Sequence, residues 1–194
     1  IDNTVYKVQM EGLMRLKAMA KINLGLDVLG KREDGYHEVR MIMQTIRMYD
    51  ILDIRKTRRP GIVLTTNLPF IPTDQRNLVY KAAQMLMEEF DVEEGLSIKL
   101  RKFIPVAAGM AGGSSDAAAA FVGVNRMFHL GLTEEQLMER AVKVGADVPY
   151  CIMRGTALAE GIGEKLTRLP EVPKCYVLIG KPGINVSTKT AYEN

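Results

Sequence analysis

Residues 21–28 alternate, with Ile22, Leu24, Leu26 and Val28 on one side and Lys21, Asn23, Gly25 and Asp27 on the other. That period predicts a strand with one buried face. Residues 30–35 form a charged turn, and a second alternating run starts at Val39, Met41 and Met43 and continues to about Arg55, so the two runs predict an antiparallel pair. Residues 62–65 predict a short third strand. Asp74 is placed to cap a helix whose apolar positions, Leu78, Ala82, Met85 and Leu86, have helical spacing and whose pattern ends near Asp91. Ile98 and Leu100 alternate with Ser97, Lys99 and Arg101, a strand that runs directly into a glycine-rich segment. Residues 114–129 then read as a helix whose alanines permit close packing on a sheet. Thr133 and Gln136 form a capping box for the next helix, Gly145 is placed to end it, and Asp147 and Pro149 fall in the loop beyond. The apolar run at residues 176–179 predicts a buried strand of a second unit.

Composition narrows the classes. Of 194 residues, 47% are apolar and 25% charged, a globular balance that excludes disorder. The 26 Lys and Arg exceed the 23 Asp and Glu by three, and no run of like charge has the length of a nucleic-acid-binding tail, so no nucleic-acid partner is expected. No apolar run approaches the roughly 18 residues of a membrane span and no signal-peptide pattern opens the chain, which makes a cytoplasmic location without a membrane partner the expectation. Cys151 and Cys175 lack metal-ligand spacing and read as free thiols. Residues 1–13 fall outside the pattern and are expected to be an added or disordered segment.

Residues 105–115 read PVAAGMAGGSS between the predicted strand and helix. Such a turn presents successive backbone N–H groups at a helix N-terminus, where the dipole also favours an anion, so the ligand class is phosphate. A Walker loop requires Lys and then Ser or Thr after its last glycine; Ser114 follows Gly113, which excludes it. The spaced-glycine dinucleotide pattern is absent as well. The competing reading is a tight turn that uses glycines for geometry alone, but five small residues in succession exceed what a turn requires.

The segment PVAAGMAGGSSDAAA resembles the second motif of the GHMP kinases, named for the galacto-, homoserine, mevalonate and phosphomevalonate kinases. Two further segments, AKINLGLDVLGKREDGYHEV at residues 20–39 and GADVP at residues 145–149, resemble the diphosphocytidyl-methylerythritol kinases of that superfamily. The likeness runs from about Met14 to Asn194, with Met110 where leucine is usual, and the family's third glycine-rich motif has no counterpart in the chain. It implies an α+β two-domain GHMP kinase fold: an ATP-binding N-terminal domain of the ribosomal protein S5 domain 2-like kind at residues 14–160, and the start of an α/β C-terminal domain at residues 161–194. On that reading the chain stops inside its second domain, and full activity is expected only of a longer protein. The implied reaction uses ATP and Mg²⁺ to phosphorylate the 2-hydroxyl of 4-diphosphocytidyl-2-C-methyl-D-erythritol, a small-molecule substrate of non-mevalonate isoprenoid synthesis.

Phosphoryl transfer to an alcohol requires alignment, a proton acceptor and positive charge. From spacing alone Asp147 reads equally as a turn-forming residue and as a functional one; the resemblance makes it the general base. Lys21 reads by itself as a solvated lysine on a polar strand face; the resemblance sets it beside Asp147, holding that carboxylate ionised. Asp116 is favoured by the dipole in a first helical turn and is not assigned to catalysis. Nucleotide contacts are expected from Pro105, Val106, Ala107, Ala108, Gly109, Met110, Ala111, Gly112, Gly113, Ser114 and Ser115, with the Ser115 hydroxyl also the candidate Mg²⁺ contact. Tyr36 and His37 read alone as an exposed hairpin turn; the resemblance turns them into a cytosine stack and a contact to the base edge, with Tyr192 as a second ring. Asn23, Lys102 and Thr188 complete the implied substrate contacts, Asn23 at the methylerythritol end. Two readings compete with this one. The first is another GHMP small-molecule kinase, against which the DGYHE segment at residues 34–38 argues; the second is a nucleotide-binding fragment without turnover.

Overall fold

The computed structural model describes residues 12–181. Two long strands, β1 (Leu13–Lys31) and β2 (His37–Thr57), form an antiparallel ribbon. A crossover of β3 (Ile62–Thr66), α1 (Leu78–Glu89) and β4 (Gly95–Arg101) follows, in which the two strands are parallel. After it come α2 (Gly112–Met127), α3 (Glu134–Ala141) and the short α4 (Val148–Met153), and then the strands β5 (Thr156–Gly161) and β6 (Lys165–Arg168). The sheet order is β3-β4-β2-β5-β6, with β1 on the remaining edge of β2, so the α+β expectation holds. No helix among the described residues is long and apolar enough to cross a membrane.

β2 organises the sheet. One of its edges pairs with β1 along nearly its whole length. The other pairs with β5 over residues 39–44 and with β4 over residues 51–57, so the sheet forks between Thr45 and Asp50. Below the fork Leu16, Leu52, Ile54, Leu96, Ile98 and Leu100 point to one face and are buried against α1 and α2. A run of alanines and Gly123 lets α2 lie close to that face: a Cβ on Gly123 would come within 2.5 Å of Ile54 Cδ1 and 3.0 Å of Leu16 Cδ1. Gly123→Ala would therefore overpack the core, at a cost of about 1–3 kcal/mol.

Several expected boundaries shift for identifiable reasons. The α1 cap is Asn77, whose side chain accepts the Val79 N–H at 2.9 Å; Asp74 instead forms the preceding turn, its carbonyl accepting the Asn77 N–H at 2.9 Å and its carboxylate held by Arg76. The capping box of Thr133 and Gln136 is present. α4, β5 and β6 were not foreseen, because a helix of six residues and a strand built on Ala157 and Ala159 carry little periodic signal. The strand expected at residues 176–179 does not form: Tyr176 and Leu178 are fully exposed, with no strand beside them among the described residues. The buried face expected of residues 21–28 is also overturned. Register shifts at Met19/Lys21, Asn23/Gly25 and Val28/Gly30 change the parity of β1, leaving Leu24 and Val28 exposed and Lys21 buried.

Candidate active site

The first of those irregularities builds the site. Before it, Leu16, Ala18 and Ala20 point inward in strict alternation; after it Lys21 is also inward and only 5% exposed. A bulge that places two neighbours on one side re-aims a side chain, here the Lys21 ammonium. Lys21 Nζ lies 3.7 Å from Asp147 Oδ2 and donates to Asn23 Oδ1 at 3.2 Å. The ammonium is sheltered while the Asp147 side chain remains 33% exposed, so the carboxylate can meet a ligand from the open side. Lys21, Asn23 and Asp147 are thus brought together as expected.

Asp147 sits at the start of α4 rather than in an open loop, yet its side chain makes no capping bond to the helix and is left available. Pro149, lacking an N–H, suits the first turn. Thr45, the ladder partner of Lys21, holds this helix in place. The Tyr150 hydroxyl donates to the Gly155 carbonyl at 2.7 Å and lies 3.0 Å from Thr45 Oγ1, which in turn accepts the Gly155 N–H at 3.1 Å. Burial raises the Tyr150 phenol above its ordinary pKa, so it stays protonated and able to donate. Arg154, with a positive φ of 60°, donates to the Lys17 carbonyl at 2.7 Å and ties the far end of α4 to β1.

The glycine-rich loop closes over the same place. Ala107, Gly109 and Ala111 have φ of 54°, 69° and 53°, and Ala111 leads straight into α2. Met110 is buried with Ala20 and Ile104, and its carbonyl accepts the Lys21 N–H at 3.1 Å. The residue that departs from the usual leucine is therefore the loop's apolar anchor and joins it to β1. Val106, Ala107 and Gly109 are exposed. A cleft of about 710 Å³ borders the fork between Gln44, Thr45 and Met48 of β2 and the segment at residues 172–179.

Two expected assignments are corrected. Lys102 is buried, and its ammonium bonds to both Asp50 Oδ2 and Asp116 Oδ2, the latter at 2.6 Å; with its Nζ held between two carboxylates, it does not face a substrate. Burial works to lower the pKa of this ammonium, and Asp116 and Asp50 outweigh it, leaving it above the ordinary lysine value. Ser115 is 2% exposed, with its hydroxyl donating to the Met19 carbonyl and 3.4 Å from Cys151 Sγ, so it is not available to a metal. The Cys151 thiol is pushed up to about 12 by burial and is inert. No cluster of three His, Cys, Asp or Glu suited to a metal occurs among the described residues.

Asp116 also differs from expectation. α2 begins at Gly112, so Asp116 lies in its second turn and is buried, where the dipole at the helix start does not explain it. Burial pushes its carboxyl well above the ordinary carboxylate range; Lys102 opposes this and Asp50 adds to it. Asp50 was missed altogether, though it occupies the same inward parity on β2 as Leu52 and Ile54, and an acid in a buried register signals a buried partner.

Tyr36 and His37 close the hairpin between β1 and β2, ten residues or more along β1 from Lys21, a path of up to roughly 33 Å at strand spacing. Tyr36 is 59% exposed, and its N–H is held by Asp34 at 3.1 Å. The hairpin does not bring these two residues into contact with Lys21 or Asp147, and a ligand reaching both regions must be long. Thr188 and Tyr192 lie outside the described residues.

Residues 77–155 match the family described as GHMP kinases N terminal domain. The chain is 58% identical over 180 residues to 4-diphosphocytidyl-2-C-methyl-D-erythritol kinase of Lachnospira eligens, covering 93% of this chain and 62% of that protein. Both likenesses are to GHMP kinases, the first through their N-terminal domain. It spans less than two thirds of the length of the curated relatives it matches. Among solved structures it resembles a 4-(cytidine 5'-diphospho)-2C-methyl-D-erythritol kinase with a TM-score of 0.70 and 35% identity, over 80% of this chain and 55% of that one. Homoserine kinase from Cytophaga hutchinsonii, at 19% identity and a TM-score of 0.66 over 85% of this chain and 54% of that one, shares the GHMP fold alone.

Proposed function

We propose that the protein transfers the γ-phosphoryl group of ATP to the 2-hydroxyl of 4-diphosphocytidyl-2-C-methyl-D-erythritol, a step of non-mevalonate isoprenoid synthesis. The observation that carries this reading is the pairing of a sheltered Lys21 with an accessible Asp147, 3.7 Å apart, beside a glycine-rich loop that bonds to Lys21's own backbone. The names of the relatives support the choice of substrate.

In this reading the loop at residues 105–115 and the start of α2 receive the nucleotide phosphates through backbone N–H groups. Asp147 accepts the proton of the substrate hydroxyl as its oxygen bonds to the γ-phosphorus and the bond from that phosphorus to the ADP oxygen breaks. Lys21, 3.7 Å from the carboxylate, orients it and places positive charge beside the transferring group. Asn23, held by Lys21, contacts the methylerythritol end, and the exposed ring of Tyr36 stacks on cytosine with His37 at the base edge. Thr188 and Tyr192 remain proposed contacts. Mg²⁺ is proposed to accompany the nucleotide, an ion that phosphates and water hold with one or two protein oxygens.

The experiment is transfer of labelled γ-phosphate from ATP in the full-length protein, with the product located by phosphorus NMR. Label on the 2-hydroxyl of the cytidyl substrate, without comparable transfer to mevalonate or homoserine, is the expected result. Equal transfer to those alcohols, or none to the cytidyl substrate, contradicts the proposal.

A further inference from the structure

Lys102 stands three residues before the glycine-rich loop and Asp116 directly after it, and the two are joined by the 2.6 Å contact between Nζ and Oδ2. Asp50, reaching up from the fork in the sheet, bonds to the same ammonium and also accepts the N–H groups of Phe103 and Ile104. Asn67 holds the Lys102 backbone from both sides, its amide donating to the carbonyl at 3.1 Å and its oxygen accepting the N–H at 2.8 Å. The loop then packs on the ammonium: a Cβ on Gly112 would stand 3.2 Å from Lys102 Nζ and 3.2 Å from Ile104 Cγ2. Between these ends the loop is exposed at Val106, Ala107 and Gly109, and it carries two alanines at positive φ, a conformation disfavoured for a residue with a Cβ that persists only where its surroundings impose it.

We infer that Asp50, Lys102 and Asp116 are positioning residues that latch the entry and exit of the glycine-rich loop together and so hold it in its ligand-binding shape. The ligand assigned to the loop rests on the proposed function; the latch itself rests on the contacts. Three buried charged groups are an expensive way to make a core, and replacing them by apolar residues is often neutral or stabilising, so their retention calls for a purpose beyond stability. Here they connect three pieces of chain that have to agree before the loop can form: the fork in β2, the end of β4 and the second turn of α2. Two carboxylates face one ammonium, and Asp116 Oδ1 is buried without a hydrogen-bond partner. The charge of Asp116 is therefore the dispensable part of the latch, and its hydrogen bond to Lys102 the necessary part.

Asp116→Ala cuts the exit from the entry while leaving Lys102 paired with Asp50, so it avoids an isolated buried charge and is expected to fold. Asp116→Asn keeps an acceptor for Lys102. Amide hydrogen exchange and calorimetric titration with ATP are measured on both. For Asp116→Ala, exchange at residues 106–113 rises about tenfold and ATP binding weakens about tenfold, the cost of one lost buried hydrogen bond, while β4 and α1 keep their protection. Asp116→Asn restores both readouts to within about threefold of the starting protein. Unchanged loop exchange in Asp116→Ala overturns the latch, as does a uniform rise across β4, α1 and α2, which is the mark of a merely structural cluster. Failure of the unaltered protein to bind ATP would count against the proposed ligand, whereas the exchange comparison would still decide the latch.

Discussion

Two lysines flank the glycine-rich loop, each facing aspartate, and they have opposite uses. Lys21 meets a single carboxylate at 3.7 Å, too long for a good hydrogen bond, and that carboxylate is one-third exposed. Lys102 is held by two carboxylates that are each almost wholly buried. The first arrangement leaves a proton acceptor with lone pairs open to solvent, whereas the second keeps its ammonium and both carboxylates buried, the unpartnered Asp116 Oδ1 included. Residue type and nearness to the loop are the same in both. What separates a pair able to do chemistry from one that holds structure is which lone pairs a ligand can reach.

The sharpest way to break this contrast is to remove each lysine in turn. Lys102→Met leaves two carboxylates without their common cation and is expected to cost about 3–5 kcal/mol of stability, read by denaturant unfolding. Lys21→Met should change stability by no more than about 1 kcal/mol, because Asp147 can hydrate, while turnover falls on the order of 10²- to 10³-fold. Similar stability losses in the two variants would erase the distinction. A smaller effect tests how far the open side extends. Tyr36→Ala is expected to weaken the cytidyl substrate by about 1–3 kcal/mol with ATP affinity unchanged, and equal weakening of both ligands in calorimetry would make the hairpin a support for the fold instead. Smallest is the clamp behind Asp147. Tyr150→Phe removes the hydroxyl bonded to Gly155 and Thr45 and should cost about 0.5–1.5 kcal/mol, with kcat falling while KM for ATP holds. A loss of stability without any change in kcat would show that the clamp does not position Asp147.

Periodicity made the strands β2, β3 and β4 and the helices α1 to α3 legible, because each buries one face at a regular spacing; β1 was legible as a strand, but its register shifts hid which face is buried. The loop was legible from its run of small residues between strand and helix. Lys21 and Asp147 were not: residues distant in sequence met through a family likeness, and the bulge at Ala20 that turns Lys21 inward has no residue type that announces it. Lys102 misled for a related reason. A lysine just ahead of a phosphate loop looks like a ligand contact, and only the fold reveals that Asp50, far back in β2, already occupies it. Ser115 misled likewise, since its bond to the Met19 carbonyl crosses from α2 to β1. Pairings between distant elements are set by packing, which local pattern does not record.

The central claim is that Asp147 is a base made available by its surroundings, with nucleotide binding located elsewhere. Asp147→Asn in the full-length protein, with ATP affinity from calorimetry and single-turnover phosphate transfer from the same preparation, tests it directly. Affinity within a few-fold of the unaltered protein, together with a transfer rate lower on the order of 10²- to 10⁴-fold, is the predicted result. Transfer at a near-normal rate would contradict the account, as would loss of ATP binding in step with the rate.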